Sequence, residues 1–397
     1  MCLFKCSKNN ADILQNHINH FAKKEPFLAG NFGKNNQFEN DLFIYESKGP
    51  KDIIKDLVEI EGEFKGFSQD KILLITNNDT DMICMLNKEP VYSKSIKENK
   101  VIYTVTLNPS IDYVIKLEHL NTGHVNRVNS ENVYPGGKGI NVSRILKTLG
   151  NDNVATGFVS NFTGDFIKNS LYEQNIKSDF IQLDNGFTRI NVKIKSDEET
   201  EINGGGPHIS DEKLEELFFK LSKLKEDDIL ILAGSIPSTL SEDLYEKIMS
   251  RVRENKVKVV VDATKYNPFL IKPNNHELEE MFNVKLESQN DIITYAKKLQ
   301  EMGGRNILVS MGKDGAILLS ENKEVYVSNV AKGEVINSVG AGDSMVAGFI
   351  SGYLKTSSYE EALRLGAASG SATAFSSDLA SKDFIDELIK EINIERR

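Results

Sequence analysis

The chain has 397 residues, of which 58 are acidic and 48 basic, giving a net charge of -10. That length suits two or three units, or one large α/β unit with an addition. The negative charge argues against nucleic acid as the main partner, because a phosphate backbone requires a basic surface. No apolar run reaches the roughly 20 residues of a membrane-spanning helix, and the amino terminus lacks the apolar region of a signal peptide. Cys2, Cys6 and Cys84 are too few for a disulfide framework or a tetrahedral zinc site. We expect a cytoplasmic protein with small-molecule ligands and without nucleic-acid or membrane partners.

Residues 1–100 are expected to form a separate extension of unknown function with an α+β fold. Residues 53–60 have helical spacing of apolar side chains, and residues 71–76 and 82–86 are typical of strands. Nothing in this segment resembles a catalytic constellation. The β-rich run 101–107 then indicates the first strand of a second domain, which we predict for residues 101–397.

Beyond residue 100, apolar strands alternate with glycine turns and amphipathic helices. Strands are predicted at 228–233, 257–261, 269–271 and 306–310. Near-continuous apolar strands alternating with helices predict a mainly parallel sheet covered on both faces, a three-layer α/β/α fold. Ligands in such sheets bind beyond the carboxyl ends of the strands, where polar residues follow.

Two segments break this pattern, at about 113–134 and 187–203. Both have the alternating character of hairpins, and in the second Arg189, Asn191 and Lys193 share one face of a strand. We expect a small sheet that stands off the main body as a lid. The alternative is that the hairpins are edge strands of the main sheet.

The strongest motif runs from Asn337 to Phe349 and passes from small residues into an apolar helix. Gly340, Ala341 and Gly342 would place backbone N–H groups at the positive end of that helix, a site for a phosphoryl group. The Asp343 carboxylate next to it could take a proton from an attacking hydroxyl. The alternative is a plain helix cap, since Asp is favoured there. No Walker P-loop occurs, so any nucleotide is held differently.

Several segments together resemble the ribokinase-like sugar kinases, or PfkB family. Residues 339–344, V-G-A-G-D-S, resemble the second signature of that family, and residues 134–142, Y-P-G-G-K-G-I-N-V, resemble the first. Segments 106–112, 187–192, 233–237 and 271–274 also match, in the family's order, over roughly residues 101–395. The resemblance implies a ribokinase-like fold with a small β-sheet lid, and MgATP and a sugar phosphate as ligands.

The resemblance also implies site residues. Asp343 would be the general base, with Gly340, Ala341 and Gly342 forming the anion hole. Arg189 would bind the phosphate already on the sugar, because its planar fork matches a phosphate. From the residues alone, Asp112 could equally be a turn residue, and Arg127 could equally be a solvated lid cation. The residues implied to bind the sugar phosphate are Asp112, Gly137, Lys138, Gly139, Asn141, Arg189, Ser235 and Arg127.

For the nucleotide, residues 274–277 resemble the family's N-x-x-E motif. The resemblance implies that Asn274 and Glu277 position Mg²⁺ and phosphates through water, as suits an oxygen-seeking ion. The alternative is a helix N-cap with a first-turn glutamate. The residues implied to bind the nucleotide are Lys272, Asn274, Glu277, Ser310, Gly312 and Gly315.

Segments 188–193 and 136–141 most resemble those of family members that act on fructose 1-phosphate. The implied reaction is direct transfer from ATP to the free primary hydroxyl O6, giving fructose 1,6-bisphosphate and ADP. Kinases of tagatose 6-phosphate or fructose 6-phosphate are the nearest alternatives, and a non-catalytic sugar-phosphate sensor is a third. The resemblance also implies a homodimer formed through the lid, since an exposed lid sheet is often completed by a partner subunit in such kinases.

The sequence departs from the family after Asp262, because only residues 263–269 separate it from Leu270. Adjacent parallel strands normally need a crossover of about 10–12 residues or more. We expect either that the second strand begins later or that the sheet is locally rearranged. This departure makes the placement of Lys272 and Asn274 uncertain from sequence.

Overall fold

The computed structural model describes residues 100–261 and 266–397, and the backbone of five strands before them. Contacts divide the chain into two units, Met1–Asn99 and Lys100–Arg397. The five strands of the first unit are β1 (Cys2–Phe4), β2 (Phe43–Tyr45), β3 (Ile72–Ile75), β4 (Thr80–Leu86) and β5 (Glu89–Ile96). They form an antiparallel sheet of order β2-β1-β3-β4-β5. The helix predicted at 53–60 lies outside the described residues.

The second unit contains strands β6 to β20 and, among the described residues, helices α1 to α9. The strands are β6 (Ile102–Thr106), β7 (Ser110–Lys116), β8 (Ser130–Gly136), β9 (Val154–Ser160), β10 (Lys177–Ser178), β11 (Ile181–Leu183), β12 (Arg189–Lys195), β13 (Thr200–Asn203), β14 (Ile229–Leu232), β15 (Lys258–Val260), β16 (Leu270–Ile271), β17 (Asn306–Ser310), β18 (Ala316–Leu319), β19 (Val325–Ser328) and β20 (Ile394–Arg396). The helices are α1 (Lys138–Thr148), α2 (Asn161–Glu173), α3 (Asp211–Leu221), α4 (Leu244–Val252), α5 (Asn275–Phe282), α6 (Gln289–Glu301), α7 (Ala341–Thr356), α8 (Tyr359–Ala374) and α9 (Lys382–Leu388). None of the described helices is long and apolar enough to span a membrane.

The main sheet has the order β10-β9-β6-β14-β15-β16-β17-β18-β19-β20, with β11 also paired to β9. Its strands are parallel as far as β17, and β17 to β20 are antiparallel. Strand β14 shows why both faces are covered, because all four of its side chains are buried. Ile229 and Ile231 belong to the core that includes α1, α7 and α8, whereas Leu230 and Leu232 belong to the core that includes α3 and α4. The predicted three-layer α/β/α fold is therefore confirmed.

The two predicted hairpins form a separate sheet of order β13-β12-β7-β8, which we call the lid sheet. Its central strands β7 and β12 are parallel, and each outer strand pairs antiparallel with its neighbour. The register places Arg189 opposite Ser110 and Asn191 opposite Asp112. Because side chains alternate along a strand, these four residues share one face of the lid sheet.

The short crossover leaves the order of the main sheet unchanged. Strands β15 and β16 are adjacent and parallel, with Val260 opposite Leu270, so the second strand begins one residue later than predicted. Both strands are short, of three and two residues, which reduces the distance the chain must travel back. The residues that join them can span about 30 Å when extended, against about 10 Å for the length of the three-residue strand β15. Phe269, only 1% exposed, closes the connection by packing on Tyr353 with ring centroids 4.9 Å apart.

Candidate active site

A tight turn into helix α7 forms the first part of the site. Gly340 caps the helix with a φ of 80°, a left-handed conformation that favours glycine. The Ala341 N–H donates to the Ser338 carbonyl at 3.2 Å. The amides of Gly342 and Asp343 follow in the first turn, where N–H groups have no partner within the helix. These two amides at the positive helix end are therefore available to an anion.

The Asp343 carboxylate projects from this first turn. Its Oδ2 atom accepts a hydrogen bond of 3.0 Å from the Asn141 side chain on α1. Burial raises the pKa of the Asp343 carboxyl above its usual value, although the Asn141 bond and the charges of Lys138, Lys272 and Lys193 act in the opposite direction. This rise moves the pKa of the carboxyl toward neutral pH, and a general base is most effective when its pKa lies near the operating pH.

Two lysines share a cavity of about 330 Å³ with Asp343, Gly340 and Gly342. Lys138 begins α1 and Lys272 follows β16. The Lys272 Nζ atom lies 3.5 Å from the Ser310 hydroxyl. A Cβ atom added at Gly342 would lie 3.4 Å from the same Nζ atom, so Lys272 is adjacent to the start of α7. Among the described residues, neither lysine has a carboxylate within 4.0 Å, whereas Lys193 and Lys220 each form an ion pair. Two cations beside a helix N-terminus, neither in an ion pair within the described part of the chain, make this cavity suitable for phosphate groups.

Asn274 and Glu277 line the same cavity. They form a capping box at the start of α5: Asn274 Oδ1 accepts from the Glu277 N–H at 2.8 Å, and Glu277 Oε2 accepts from the Asn274 N–H at 2.7 Å. The capping role considered from the sequence is thus present. Because the box uses only one carboxylate oxygen of Glu277, the other remains for a hydrated cation. Among the described residues no cluster of three or more His, Cys, Asp or Glu could hold a metal, so a Mg²⁺ ion here would depend on phosphates and water.

Asp112 lies on the face of the lid sheet that is directed at the body. Its Oδ1 atom accepts from the Ser110 hydroxyl at 2.8 Å and from the Asn191 amide at 3.1 Å, and its Oδ2 atom is 3.1 Å from Lys193 Nζ. Gly136 is the last residue of the neighbouring strand β8. A Cβ atom at this position would lie 2.5 Å from Asp112 Oδ1, so only glycine leaves room for the carboxylate there. A second cavity, between the lid sheet and the body, is lined by Asp112, Lys193 and Asn141.

Arg189 stands at the start of β12, and its contacts among the described residues are to main-chain carbonyls. Its Nε donates to the Asn108 carbonyl at 3.1 Å and its Nη1 to the Gly204 carbonyl at 3.4 Å. No carboxylate of the described residues lies within ion-pair distance of it. Burial lowers the pKa of the guanidinium, an effect that the charge of Asp112 opposes. A half-buried guanidinium bonded only to carbonyls is suited to an anionic ligand.

Comparison with known proteins identifies the family. A model described as pfkB family carbohydrate kinase matches residues 105–383. The chain belongs to the pfkB family of carbohydrate kinases. It is 49% identical over 304 residues to a 1-phosphofructokinase of Bacillus subtilis, covering 75% of this chain and 100% of the relative. It is 38% identical over 303 residues to a D-tagatose-1-phosphate kinase of Bacillus licheniformis, covering 74% and 99%.

Solved structures agree with this assignment. Phosphofructokinase-2 from Escherichia coli, in complex with substrates and products, is 25% identical with a TM-score of 0.69, covering 73% of this chain and 98% of that one. A ribokinase from Arabidopsis thaliana in complex with ribose and ATP has a TM-score of 0.61 at 20% identity, covering 74% and 99%, and shows the fold alone. The resemblance to PfkB kinases seen in the sequence is confirmed, and the chain is a carbohydrate kinase.

Not every residue implied by the pfkB resemblance reaches a cavity. Arg127 is exposed in the connection between β7 and β8. Ser235 is exposed beside Gly234, which does line the cavity that contains Asp343. Gly312 and Gly315 lie in the turn after β17 and outside the lining of that cavity. A Cβ atom at Gly315 would lie 1.9 Å from the Ser328 carbonyl oxygen, so the close approach of the two main chains already explains why glycine is needed there.

Gly137 and Gly139 are explained by packing at the start of α1 in this pfkB kinase. A Cβ atom at Gly137 would lie 2.7 Å from the Thr106 Cγ2 atom, and one at Gly139 would lie 2.5 Å from its hydroxyl. The two glycines thus let α1 approach β6 closely enough to direct Lys138 into one cavity and Asn141 into the other.

The sequence did not point to Ser110 or Asn191 as site residues. Both are buried, with exposures of 1% and 7%, and both donate to Asp112. The sequence signal that could have identified them is the alternation of side chains between the two faces of each strand. Ser110 stands two residues before Asp112, and Asn191 shares a face with Arg189 and Lys193, but only the pairing of β7 with β12 brings the two faces together.

Proposed function

We propose that this kinase transfers the γ-phosphoryl group of MgATP to O6 of fructose 1-phosphate, giving fructose 1,6-bisphosphate and ADP. The observation that supports phosphoryl transfer is the position of Asp343 beside the α7 N-terminus, in a cavity with Lys138 and Lys272. The observation that supports the substrate is the 49% identity with a 1-phosphofructokinase along that relative's entire length.

In the proposed reaction Asp343 takes the proton of the 6-hydroxyl as O6 attacks the γ-phosphorus. The bond from that phosphorus to the β,γ-bridging oxygen breaks, and ADP leaves with the bond's electron pair. The amides of Gly342 and Asp343, with Lys272 beside them, stabilise negative charge on the transferred group. Asn141 holds the Asp343 carboxylate in orientation through its 3.0 Å hydrogen bond.

The nucleotide is proposed to lie along the cavity lined by Lys272, Asn274, Glu277 and Ser310. Its volume of about 330 Å³ is at the lower end of the range of roughly 300–1,000 Å³ for small-molecule sites. When bound, Mg²⁺ would neutralise phosphate charge, and Glu277 and Asn274 would contact it through water. The capping box keeps these two side chains fixed before the ion arrives.

At the other end of the sugar, Arg189 is proposed to bind the 1-phosphate and Asp112 a ring hydroxyl. The first role is supported by Arg189, whose guanidinium has no ion-pair contact among the described residues and donates to two carbonyls. The second is supported by the position of Asp112 on the cavity-facing side of the lid sheet. We also propose a cytoplasmic enzyme, since ATP and sugar phosphates are its substrates. A homodimer through the lid is proposed because Val133 and Ile202, on the opposite face of the lid sheet, are 45% and 60% exposed.

The deciding experiment measures ADP released by the full-length protein with MgATP and one sugar phosphate at a time. Fructose 1-phosphate, fructose 6-phosphate, tagatose 1-phosphate and tagatose 6-phosphate are compared by kcat/KM. Highest turnover on fructose 1-phosphate supports the proposal, and a preference for another of the four replaces the substrate but keeps the mechanism. A folded protein that binds fructose 1-phosphate but releases no ADP would instead be a sensor.

A further inference from the structure

The hydrogen bonds around Asp112 determine which part of its carboxylate can meet a substrate. A carboxylate has two oxygens and about four acceptor positions. The Oδ1 atom is occupied by two donors, the Ser110 hydroxyl at 2.8 Å and the Asn191 amide at 3.1 Å. The Oδ2 atom is in contact with Lys193 Nζ at 3.1 Å. The position that remains is therefore on Oδ2, beside the lysine.

Lys193 is buried to an unusual degree for a lysine, with an exposure of only 8%. Its ammonium group has three donors, one directed to Asp112 and another facing Glu201 at the longer distance of 3.9 Å. Lys193 and Asp112 both line the cavity between the lid sheet and the body. At this point of the cavity a carboxylate acceptor and an ammonium donor are held 3.1 Å apart.

We propose that Lys193 is a specificity-determining residue, which together with Asp112 reads two adjacent hydroxyls of the sugar and so selects its configuration at C4. One hydroxyl donates to Asp112 Oδ2, and the oxygen of its neighbour accepts from Lys193 Nζ. Ser110 and Asn191 act as positioning residues, because they fix Oδ1 and so turn Oδ2 toward the substrate. This inference rests on the proposed function, since it assumes a ketose 1-phosphate as acceptor.

A donor and an acceptor fixed in this way discriminate between epimers. Inverting one of two neighbouring hydroxyls moves its oxygen to the other face of the ring, so one of the two protein groups loses its partner. Leaving a buried donor or acceptor position without its hydrogen-bond partner costs more than the bond itself contributes. Asn141 lines the same cavity and contacts Asp343, so a sugar misplaced here would also be misplaced relative to the base.

The test is Lys193→Met, which keeps the length of the side chain but removes its charge and donors. Fructose 1-phosphate and its C4 epimer tagatose 1-phosphate are compared under saturating MgATP. We expect kcat/KM for fructose 1-phosphate to fall about 10- to 100-fold, the range for a charged hydrogen bond. The ratio of kcat/KM between the epimers should fall toward one, and the KM for ATP should stay within about twofold. An equal loss on both epimers, or no loss, overturns the proposal.

The control is Lys220→Met, the same substitution in an ion pair outside both cavities, Lys220 with Asp179 at 2.5 Å. It should leave the epimer ratio unchanged. If Lys193→Met does not fold, Lys193→Arg takes its place, because it keeps the positive charge against Asp112 but moves the donors. A retained melting temperature with a reduced epimer ratio is expected, and an unchanged ratio overturns the proposal.

Ser110→Ala tests the positioning part without altering a charge. The sugar KM should rise several-fold, with kcat and the KM for ATP nearly unchanged, because only the orientation of Asp112 is affected. Equal losses in kcat and in both KM values would indicate a merely structural serine and contradict the proposal. If the wild-type protein itself releases no ADP with either epimer, the proposed function fails, an outcome distinct from a failure in the variants alone.

Discussion

The hydrogen bond between Asn141 and Asp343 predicts how the acid limb of the pH–rate profile shifts when Asn141 is replaced. In the proposed mechanism Asp343 must be deprotonated to act, so turnover should fall as the pH drops through the pKa of Asp343. Burial raises that pKa, and the Asn141 hydrogen bond partly offsets the rise. Asn141→Leu removes the donor while keeping a side chain of similar size. The pKa must then rise further, and the acid limb must move to higher pH.

The size of this shift follows from the bond. A hydrogen bond to a charged group contributes about 1.5–3 kcal/mol, and one pKa unit corresponds to about 1.4 kcal/mol. Removal of the 3.0 Å bond should therefore move the acid limb upward by about 1 to 2 pH units. At a pH well above the new limb, part of the lost rate should return.

The assay is kcat/KM for fructose 1-phosphate between pH 5 and 9, from ADP released, for the wild type and the variant. The second ionisation of the substrate phosphate, with a pKa of about 6, contributes the same limb to both and cancels in the comparison. Asn151→Leu is the matched control, because Asn151 also donates from its amide to α7, at 2.7 Å to Ser351, but outside the cavity. An acid limb at the same pH in wild type and Asn141→Leu would refute the role of Asn141 at the base.

Three further predictions concern single groups. Asp343→Asn should lower kcat by at least about 100-fold, the lower end of the range for a general base, while fructose 1-phosphate still binds in a calorimetric titration; full activity would contradict the mechanism. Arg189→Met should raise the sugar KM about 10- to 100-fold, because a charged hydrogen bond to the sugar's phosphate is lost. The melting temperature should not fall, because within the described residues the guanidinium only donates to two carbonyls and no buried carboxylate is left unpaired; an unchanged KM would place the sugar's phosphate elsewhere. Thr104→Val should increase the free energy of unfolding by about 1 kcal/mol in urea titrations, since the Thr104 hydroxyl is buried without a partner; a decrease would indicate that a water molecule satisfies it.

The fold could be predicted largely because its signals are local. Apolar strands such as Ile229–Leu232 and the alternation at Arg189–Lys195 are readable within a few residues. Each of these patterns predicted the element that the structure contains. The fit of the Asn274–Glu277 segment to a capping box was likewise visible from the spacing of two residues.

The site could be predicted only in part, because its contacts join residues far apart in the chain. Asn191 and Asp112 are 79 positions apart, and Asn141 and Asp343 are 202 apart. Nothing in either local sequence specifies these hydrogen bonds. They follow from the parallel pairing of β7 with β12 and from the approach of α1 to α7, which only the assembled fold defines.

The short crossover shows how an irregular connection can leave a site intact. Among the candidate site residues, Lys272 and Asn274 follow β16 and Ser310 ends β17. Their positions depend on the register of these strands rather than on the path between β15 and β16. That register is fixed from the other side, because the Asn306 side chain donates to the Phe269 carbonyl at 2.8 Å and the Arg305 N–H donates to the Pro268 carbonyl at 3.0 Å. Lys272 and Asn274 consequently reach the same sheet edge as Ser310, to which Asn274 is bridged. The cost of the short path falls instead on the connection itself, where Tyr266 and Asn267 both adopt left-handed φ angles, of 63° and 57°. That conformation is unfavourable for Tyr266, whereas Asn267 tolerates it better because its short polar side chain can hydrogen-bond locally.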